Sequence, residues 1–307
     1  MDICVVLVTF NRVDDLQRTL AAYETQTHPP RAVIVVDNHS TDGTREMLAD
    51  WQARESDIAH IVVTLPENVG GSGGFAAGLT RALELSHEWV FVSDDDALPH
   101  ADALQQLADF CQKRPQLAAQ CAALCGSVDT GNGYALGHRC RIQRGAMGRV
   151  DQPVPSSEYE KEYFEVDFFS YIGTCIRRSA LEKAGVTRKE FFIYSDDFEH
   201  ALRVRKCGKL LCLPRCVLCH QGNTPYSKNA SWRDYYETRN VLIMYLEHFG
   251  KTAFRRRARM RLLTGLRSLN PTKWKVIKEG IRDAKAGKTG LHPVYRPGWD
   301  PKKKKEG

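Results

Sequence analysis

No stretch of this sequence approaches the ~18 consecutive apolar residues of a membrane-crossing helix, so the chain is not expected to span a bilayer. Its first residues, Met1-Asp2-Ile3-Cys4-Val5-Val6-Leu7-Val8, carry no basic leader and turn polar at once, which reads as a first β-strand and not as a secretory signal. Without an export signal, the 10 cysteines are expected to be reduced thiols of a cytosolic protein. The Lys-Ser/Thr of a phosphate-binding P-loop is missing, and Thr9 to Arg12 has none of the glycines that a sugar-nucleotide pyrophosphorylase places after its first strand. Acids are scarce in one region. Residues 251–307 hold 4 Asp+Glu against 18 Lys+Arg, whereas residues 1–250 hold 33 against 26, so the net charge of +7 hides an acidic body and a basic tail. A segregated basic segment points to an anionic surface; the acidic body argues against nucleic acid as its partner.

Strand-like and helix-like segments alternate through the first half. Ile3 to Thr9, Ala32 to Val36, Ile58 to Leu65 and the run ending at Val92-Ser93 are apolar and strand-length, and amphipathic segments separate them. The pattern predicts an α/β fold, a mostly parallel sheet with helices on both faces. Ligands of such sheets sit beyond the C-terminal strand ends, and chemistry-bearing residues gather there. Asp94-Asp95-Asp96 closes one strand; alternation lets Asp94 and Asp96 face one way, and like charges that close call for a cation, for which Mg2+ or Mn2+ suits carboxylate oxygens. A solvated turn before a helix would explain the same acids. Asn68-Val69-Gly70-Gly71-Ser72-Gly73-Gly74-Phe75 reads as a glycine loop before a helix from about Phe75, able to bring backbone close to an anion or to act as a plain hinge. A second acidic pair, Asp196-Asp197, follows Phe191-Phe192-Ile193-Tyr194-Ser195 at the start of a helix; capping explains one of the two. Gly126 to Pro155 reads as variable surface. Cys216-Val217-Leu218-Cys219-His220 matches a haem-attachment string, and with Cys207 and Cys212 a zinc site stays open, but cysteine as a small buried apolar residue of a strand explains the run as well.

The strings Val8-Thr9-Phe10-Asn11-Arg12, residues 36–44, 68–75 and 94–96, and Phe192 to Glu199, in this order, resemble the inverting family 2 glycosyltransferases with the GT-A fold, over residues 1 to about 245. The doubled glycine pairs and the three aspartates are most similar to the galactofuranosyltransferases, with rhamnosyltransferases next. The resemblance implies a GT-A domain over residues 1–220 and a helical, basic region over 221–307 that faces acceptor or membrane. It implies a UDP- or dTDP-sugar donor held by Thr9, Asn11, Arg12, Asp37, Asn68, Gly70, Gly71, Gly73, Gly74, Asp94 and Asp95. Mn2+ or Mg2+ would be held by Asp94, Asp96 and His220. Asp197 would be the catalytic base, with Asp196 orienting it or binding the acceptor. Trp232, Tyr236 and Arg239 would contact a glycan or polyprenyl-diphosphate-linked acceptor or the diphosphate, although a core stripe explains the tyrosines too. A non-catalytic binding protein on this fold would be expected to lose Asp96 or Asp197, and both are present. In the tail, Phe254, Ala258, Leu262, Leu266 and Leu269 fall on one helical face among arginines, with Lys302 to Lys305 beyond. That pattern suits a helix on an anionic membrane, and hence a cytoplasmic enzyme peripheral to the inner face, or a helix packed on the catalytic domain.

Overall fold

The computed structural model describes residues 1–143, 150–220 and 227–301. It opens with β1 (Ile3–Thr9), α1 (Val13–Glu24), β2 (Ala32–Asp37), α2 (Thr44–Gln52), β3 (Ala59–Thr64), α3 (Gly70–Leu83) and β4 (Trp89–Asp94). β5 (Leu98–Pro99), α4 (Ala103–Lys113), α5 (Pro115–Ala118) and β6 (Cys121–Asp129) follow. Then come β7 (Arg139–Ile142), β8 (Asp151–Pro153), β9 (Phe164–Glu165), β10 (Phe168–Phe169), β11 (Thr174–Arg177), α6 (Arg178–Ala184), α7 (Asp196–Val204) and β12 (Lys209–Cys219). Two long helical elements, α8 (Arg233–Arg267) and α9 (Pro271–Lys285), end the sequence of elements.

The main sheet runs β3-β2-β1-β4-β11-β6-β12-β5, with β9 on β12. It is parallel across β3, β2, β1 and β4. β11 enters antiparallel between β4 and β6, and β12 runs parallel to β6. β1 and β2 are Val/Ile-rich and buried on both faces because helices cover both sides. One face packs on α1 and α4 through Leu16, Leu20, Leu104 and Leu107, the other on α3 and α6 through Phe75, Leu79, Ala180 and Leu181.

Two readings of the sequence need correction, and a third is decided in favour of buried strand cysteines. The glycine string is not a loop: α3 begins at Gly70, and its glycines let the helix press on the sheet. A Cβ on Gly74 would lie 2.5 Å from Val8, and one on Gly78 2.4 Å from Val6. The segment from Gly126 to Pro155 is not surface alone. Gly126 lies in the buried strand β6, which the sequence conceals because Cys121-Ala122-Ala123 and Gly126 are small; a Cβ on Gly126 would stand 2.2 Å from the Cys216 carbonyl oxygen. β7, β8 and β10 form a separate small sheet. Finally, Cys212 and Cys216 are fully buried in β12, which passes Pro214 through a register shift, and none of the metal-competent clusters among the described residues contains a cysteine.

α8 is broken at Gly250 (φ 80°, ψ 179°). Its second half folds back on the first: Arg261 pairs with Glu237 at 2.8 Å and donates to Thr238, and the Arg257 guanidinium lies 5.5 Å from the centre of the Tyr245 ring. α9 closes against both, with Gly265 under Trp274 and Gly280 under Tyr235. The first half shares its core with the sheet domain, as Leu242, Met244 and Tyr245 pack with Phe168, Phe191 and Leu202.

Candidate active site

At the C-terminal ends of β1 and β4 lies a cavity of about 680 Å³. Thr9, Asn11 and Arg12 form one wall, Asn38, Asn68, Gly70 and Gly71 another, and Asp94, Asp95, Asp96 and His220 the floor. Asn38 ties the second wall together: it accepts from Val69 N at 2.9 Å and donates to Asn68 Oδ1 at 3.2 Å, while Asn68 Oδ1 accepts from Gly70 N at 2.8 Å. Gly71 has no atom within 4 Å of where a Cβ would stand, so the first turn of α3 presents bare backbone to the cavity. That end of a helix favours an anion.

β4 ends at Asp94, and Asp95 and Asp96 occupy the turn after it, so their directions are set by the turn and not by strand alternation. Asp94, Asp96 and His220 each bring a ligand atom within 4.8 Å of the others. His220 Nε2 stands 3.3 Å from Asp96 Oδ1. Asp95 turns toward Arg12, at 3.4 Å, and Arg12 also pairs closely with Asp96. Burial, then the nearby Asp96 charge, pushes the Asp94 carboxyl up to about 6. Burial pushes Asp95 up to about 7 despite Arg12. For Asp96, burial acts upward, but the His220 hydrogen bond and the Arg12 charge hold it below the usual carboxylate range. His220 is raised by its hydrogen bond to Asp96. Two carboxylates and an imidazole, with Asp94 resisting ionisation beside the charged Asp96, are a donor set that fits Mn2+ or Mg2+. Two other clusters among the described residues, Glu199–Glu247–His248 and Glu279–Asp283–His292, include carboxylates paired with arginine: Glu199 with Arg203, Glu247 with Arg188, and both Glu279 and Asp283 with Arg282.

A second lobe of about 470 Å³ adjoins the first through Gly71, Phe75, Asp94, Ile193, Tyr194 and His220. Asp196 and Asp197, at the first turn of α7, line it. Burial raises both carboxyls, each also feels Asp94, and Asp197 is pushed well above the ordinary range by burial and by Asp196. The helix N-terminus opposes that rise, as Asp197 Oδ1 accepts from Phe198 N at 2.7 Å. His138, from the segment read as surface, also lines this lobe. Its Nδ1 lies 2.8 Å from Ser170 Oγ, and burial lowers it to about 3, so it is neutral.

The structure therefore gathers Thr9, Asn11, Arg12, Asn68, Gly70, Gly71, Asp94, Asp95, Asp96, His220 and Trp232 on one cavity, and Asp196 and Asp197 on its neighbour. Asp37 stands apart, fully buried, accepting from Ser40 N at 2.8 Å and Arg45 Nε at 3.0 Å. Gly73 and Gly74 pack on Val69 and Val8 and do not line this cavity. Tyr236 and Arg239 are buried too, and the reading of them as acceptor or diphosphate contacts is replaced: Tyr236 donates to the Tyr295 carbonyl, and Arg239 donates to Asn240 and to backbone carbonyls. Sequence reading missed Asn38, His138 and Pro297 on these walls. Asn38 lies within residues 36–44, one of the family-like segments, whereas His138 and Pro297 carry no local signal.

A parallel sheet that ends in an acidic metal-competent cluster, with a second acidic pair across the cavity, defines the GT-A class of glycosyltransferases, and solved structures agree. S. aureus TarS (residues 1–349, in complex with UDP-GlcNAc) matches with TM-score 0.61 at 15% identity, covering 92% of this chain and 81% of that one. The mannosyltransferase PcManGT from Pyrobaculum calidifontis, solved with GDP-Man and Mn2+, matches with TM-score 0.56 at 17% identity, covering 93% and 75%. Residues 4–185 match the family described as Glycosyl transferase family 2, and the chain belongs to that family. It is similar to the galactofuranosyltransferase GlfT1 of Mycobacterium tuberculosis, 28% identical over 277 residues that cover 88% of this chain and 85% of that one. It is also similar to the N-acetylglucosaminyl-diphospho-decaprenol L-rhamnosyltransferase of the same organism, 26% identical over 242 residues that cover 70% and 75%.

Proposed function

We propose that the protein is an inverting, divalent-cation-dependent galactofuranosyltransferase that moves the sugar of UDP-galactofuranose onto a hydroxyl of a lipid-linked glycan. The observation that carries this reading is the convergence of Asp94, Asp96, His220 and the Asp196–Asp197 pair on adjoining cavities, in a chain similar to galactofuranosyltransferases over most of its length. The donor lies in the first cavity, its diphosphate toward Asp94, Asp96, His220 and the first turn of α3. Mn2+ or Mg2+ held there would offset the charge that grows on the leaving nucleotide. The acceptor enters the second lobe. Asp197 takes the proton from its hydroxyl as the oxygen attacks the anomeric carbon from the face opposite the nucleotide, which inverts that centre. Asp196 keeps that carboxyl basic by its charge, Trp232 borders the sugar, and neutral His138 offers the acceptor a hydrogen bond. The catalytic domain is assigned to residues 1–220, and 221–307 to the membrane, with Trp232 among its contributions to the first cavity.

A donor panel tests the assignment. Transfer from UDP-galactofuranose is expected to exceed transfer from dTDP-rhamnose by at least tenfold in kcat/KM; transfer from the rhamnose donor alone would reverse it in favour of the rhamnosyltransferase reading.

The tail supports a peripheral position on the inner face of the cytoplasmic membrane, in a modified form. Phe254 and Ala258 are buried in the α8 hairpin, so the stripe read from the sequence does not face outward as a whole. Leu263, Leu266 and Leu269, exposed to 37%, 55% and 88%, form an apolar tip where α8 meets α9, and Arg255, Arg256, Arg259 and Arg267 are exposed on the same half-helix. Lys302 to Lys305 lie outside the described residues. Exposed leucines beside arginines suit insertion into an anionic interface. Replacing Leu266 and Leu269 by Ser, or Arg255, Arg256 and Arg259 by Gln, is expected to abolish co-sedimentation with vesicles containing anionic lipid while leaving transfer to a soluble acceptor intact. Equal binding of the parent to neutral and anionic vesicles would remove the electrostatic part of the reading.

A further inference from the structure

Three of the four residues that lead into α7 hold left-handed backbone without being glycine: Phe192 (φ 68°), Tyr194 (φ 68°) and Ser195 (φ 64°). Phe192 (ψ −57°) is the centre of a γ-turn closed by Ile193 N donating to the Phe191 carbonyl at 2.8 Å. This hand of γ-turn is the rare and strained one, and strained backbone persists only where its surroundings over-determine it. Here the restraint comes from α8. Asn240 is wholly buried, and its Nδ2 lies 2.9, 2.8 and 3.0 Å from the carbonyl oxygens of Phe191, Ile193 and Tyr194. An amide nitrogen has two hydrogens, so the three acceptors share them. Arg239 decides which way that amide faces. Its Nε donates to Asn240 Oδ1 at 2.8 Å, a bond that a flipped amide could not accept, and its Nη2 reaches the Phe191 carbonyl at 3.2 Å. From the other side, Ser72 N donates to the Phe192 carbonyl at 3.1 Å, and Gly70 makes room, since a Cβ there would lie 2.1 Å from that oxygen.

The elbow so held runs from the donor cavity, lined by Phe192, Ile193 and Tyr194, straight into Asp196 and Asp197. We propose that Asn240 is a positioning residue for Asp197: its amide locks the left-handed elbow and so sets where the Asp197 carboxylate stands, and Arg239 fixes the amide's orientation. The proposal rests on the reading of Asp197 as the base. A buried asparagine that only satisfied carbonyls would matter to stability alone; one that aims the base must share its effect with Asp197.

A double-mutant cycle on the full chain separates the two, with single-turnover transfer from UDP-galactofuranose in Mn2+ as the readout, or from dTDP-rhamnose should that be the donor that turns over. Asn240→Ser is expected to lower the rate 10- to 100-fold in protein that melts above the assay temperature. Combined with Asp197→Asn it is expected to cost no more than about twofold beyond Asp197→Asn alone, because residues that act through one group are not additive. Ser195→Gly, which accepts the left-handed conformation without strain, is expected to raise the rate of the Asn240→Ser protein several-fold. A parent-like rate for Asn240→Ser, or a double mutant slowed by the full product of the single effects, would overturn the proposal while leaving the base assignment standing. A parent-like rate for Asp197→Asn would remove the base assignment and the proposal with it. If Asn240→Ser melts below the assay temperature, Asn240→Asp takes its place under the same expectations, since it keeps the volume and an acceptor for Arg239 but offers the carbonyls no donor.

Discussion

Asp197→Asn is expected to lower turnover by about 10²- to 10⁴-fold, the usual worth of a positioned base, while the affinity for the nucleotide sugar changes little. The carboxyl lines the second lobe and not the first cavity, although Asp94 and His220 border both, so its loss leaves the direct contacts of the donor in place. Stability should hold or rise, because the substitution keeps the shape and removes one of several charges that burial and mutual repulsion disfavour. The sign of the pH dependence follows from the same facts. A base works deprotonated, and burial with the Asp196 charge raises this carboxyl well above the ordinary range. Activity is therefore present above that raised value and lost as pH falls through it. The acid limb of kcat/KM should lie above the pH range of a free carboxylate, and the limb should vanish from the residual activity of Asp197→Asn. A variant that turned over normally, with the limb unmoved, would take the base role from Asp197.

Asp96→Ala is expected to abolish the Mn2+-dependent part of UDP binding, read by calorimetry with and without the ion. Asp96 is the centre of its cluster: His220 stands 3.3 Å from one oxygen and Arg12 pairs with the other. Without it, Asp94 and His220 remain as two ligands, too few to hold a hard divalent cation against water. The fold should be unharmed, since the lost Arg12 pair is partly exposed and the repulsion with Asp94 is relieved at the same time. The parent's turnover should disappear in excess EDTA and return with Mn2+. Full turnover in EDTA would show that the cluster has another use.

Much of this was legible in the sequence because it is written in short-range patterns. The parallel half of the sheet follows from apolar runs such as Ile3–Thr9, and the strand-end position of Asp94 to Asp96 follows from the run before them. What stayed hidden depends on distant neighbours. Gly73 and Gly74 read as phosphate-facing but answer to Val69 and Val8. β6 is hidden because a strand clamped between two others can be made of alanine, cysteine and glycine. The family resemblance makes Arg239 and Tyr236 ligand contacts, yet burial gives both to backbone carbonyls. Nothing local marks His138, whose place depends on Ser170 and on the small sheet of β7, β8 and β10.

The insertion of β11 and β12 into the sheet also has a meaning in time. During synthesis, Asp94 and Asp96 leave the ribosome well before His220, which directly follows the strand β12 that pairs with β6 and with β5. β11 must first lie between β4 and β6, a pairing of strands far apart in sequence, which forms slowly. A nascent or truncated chain that stops short of β12 thus carries Asp94 and Asp96 without His220 and, if it stops before α7, without Asp196 and Asp197. With the roles proposed above, a chain that stops short of β12 is expected to be inactive.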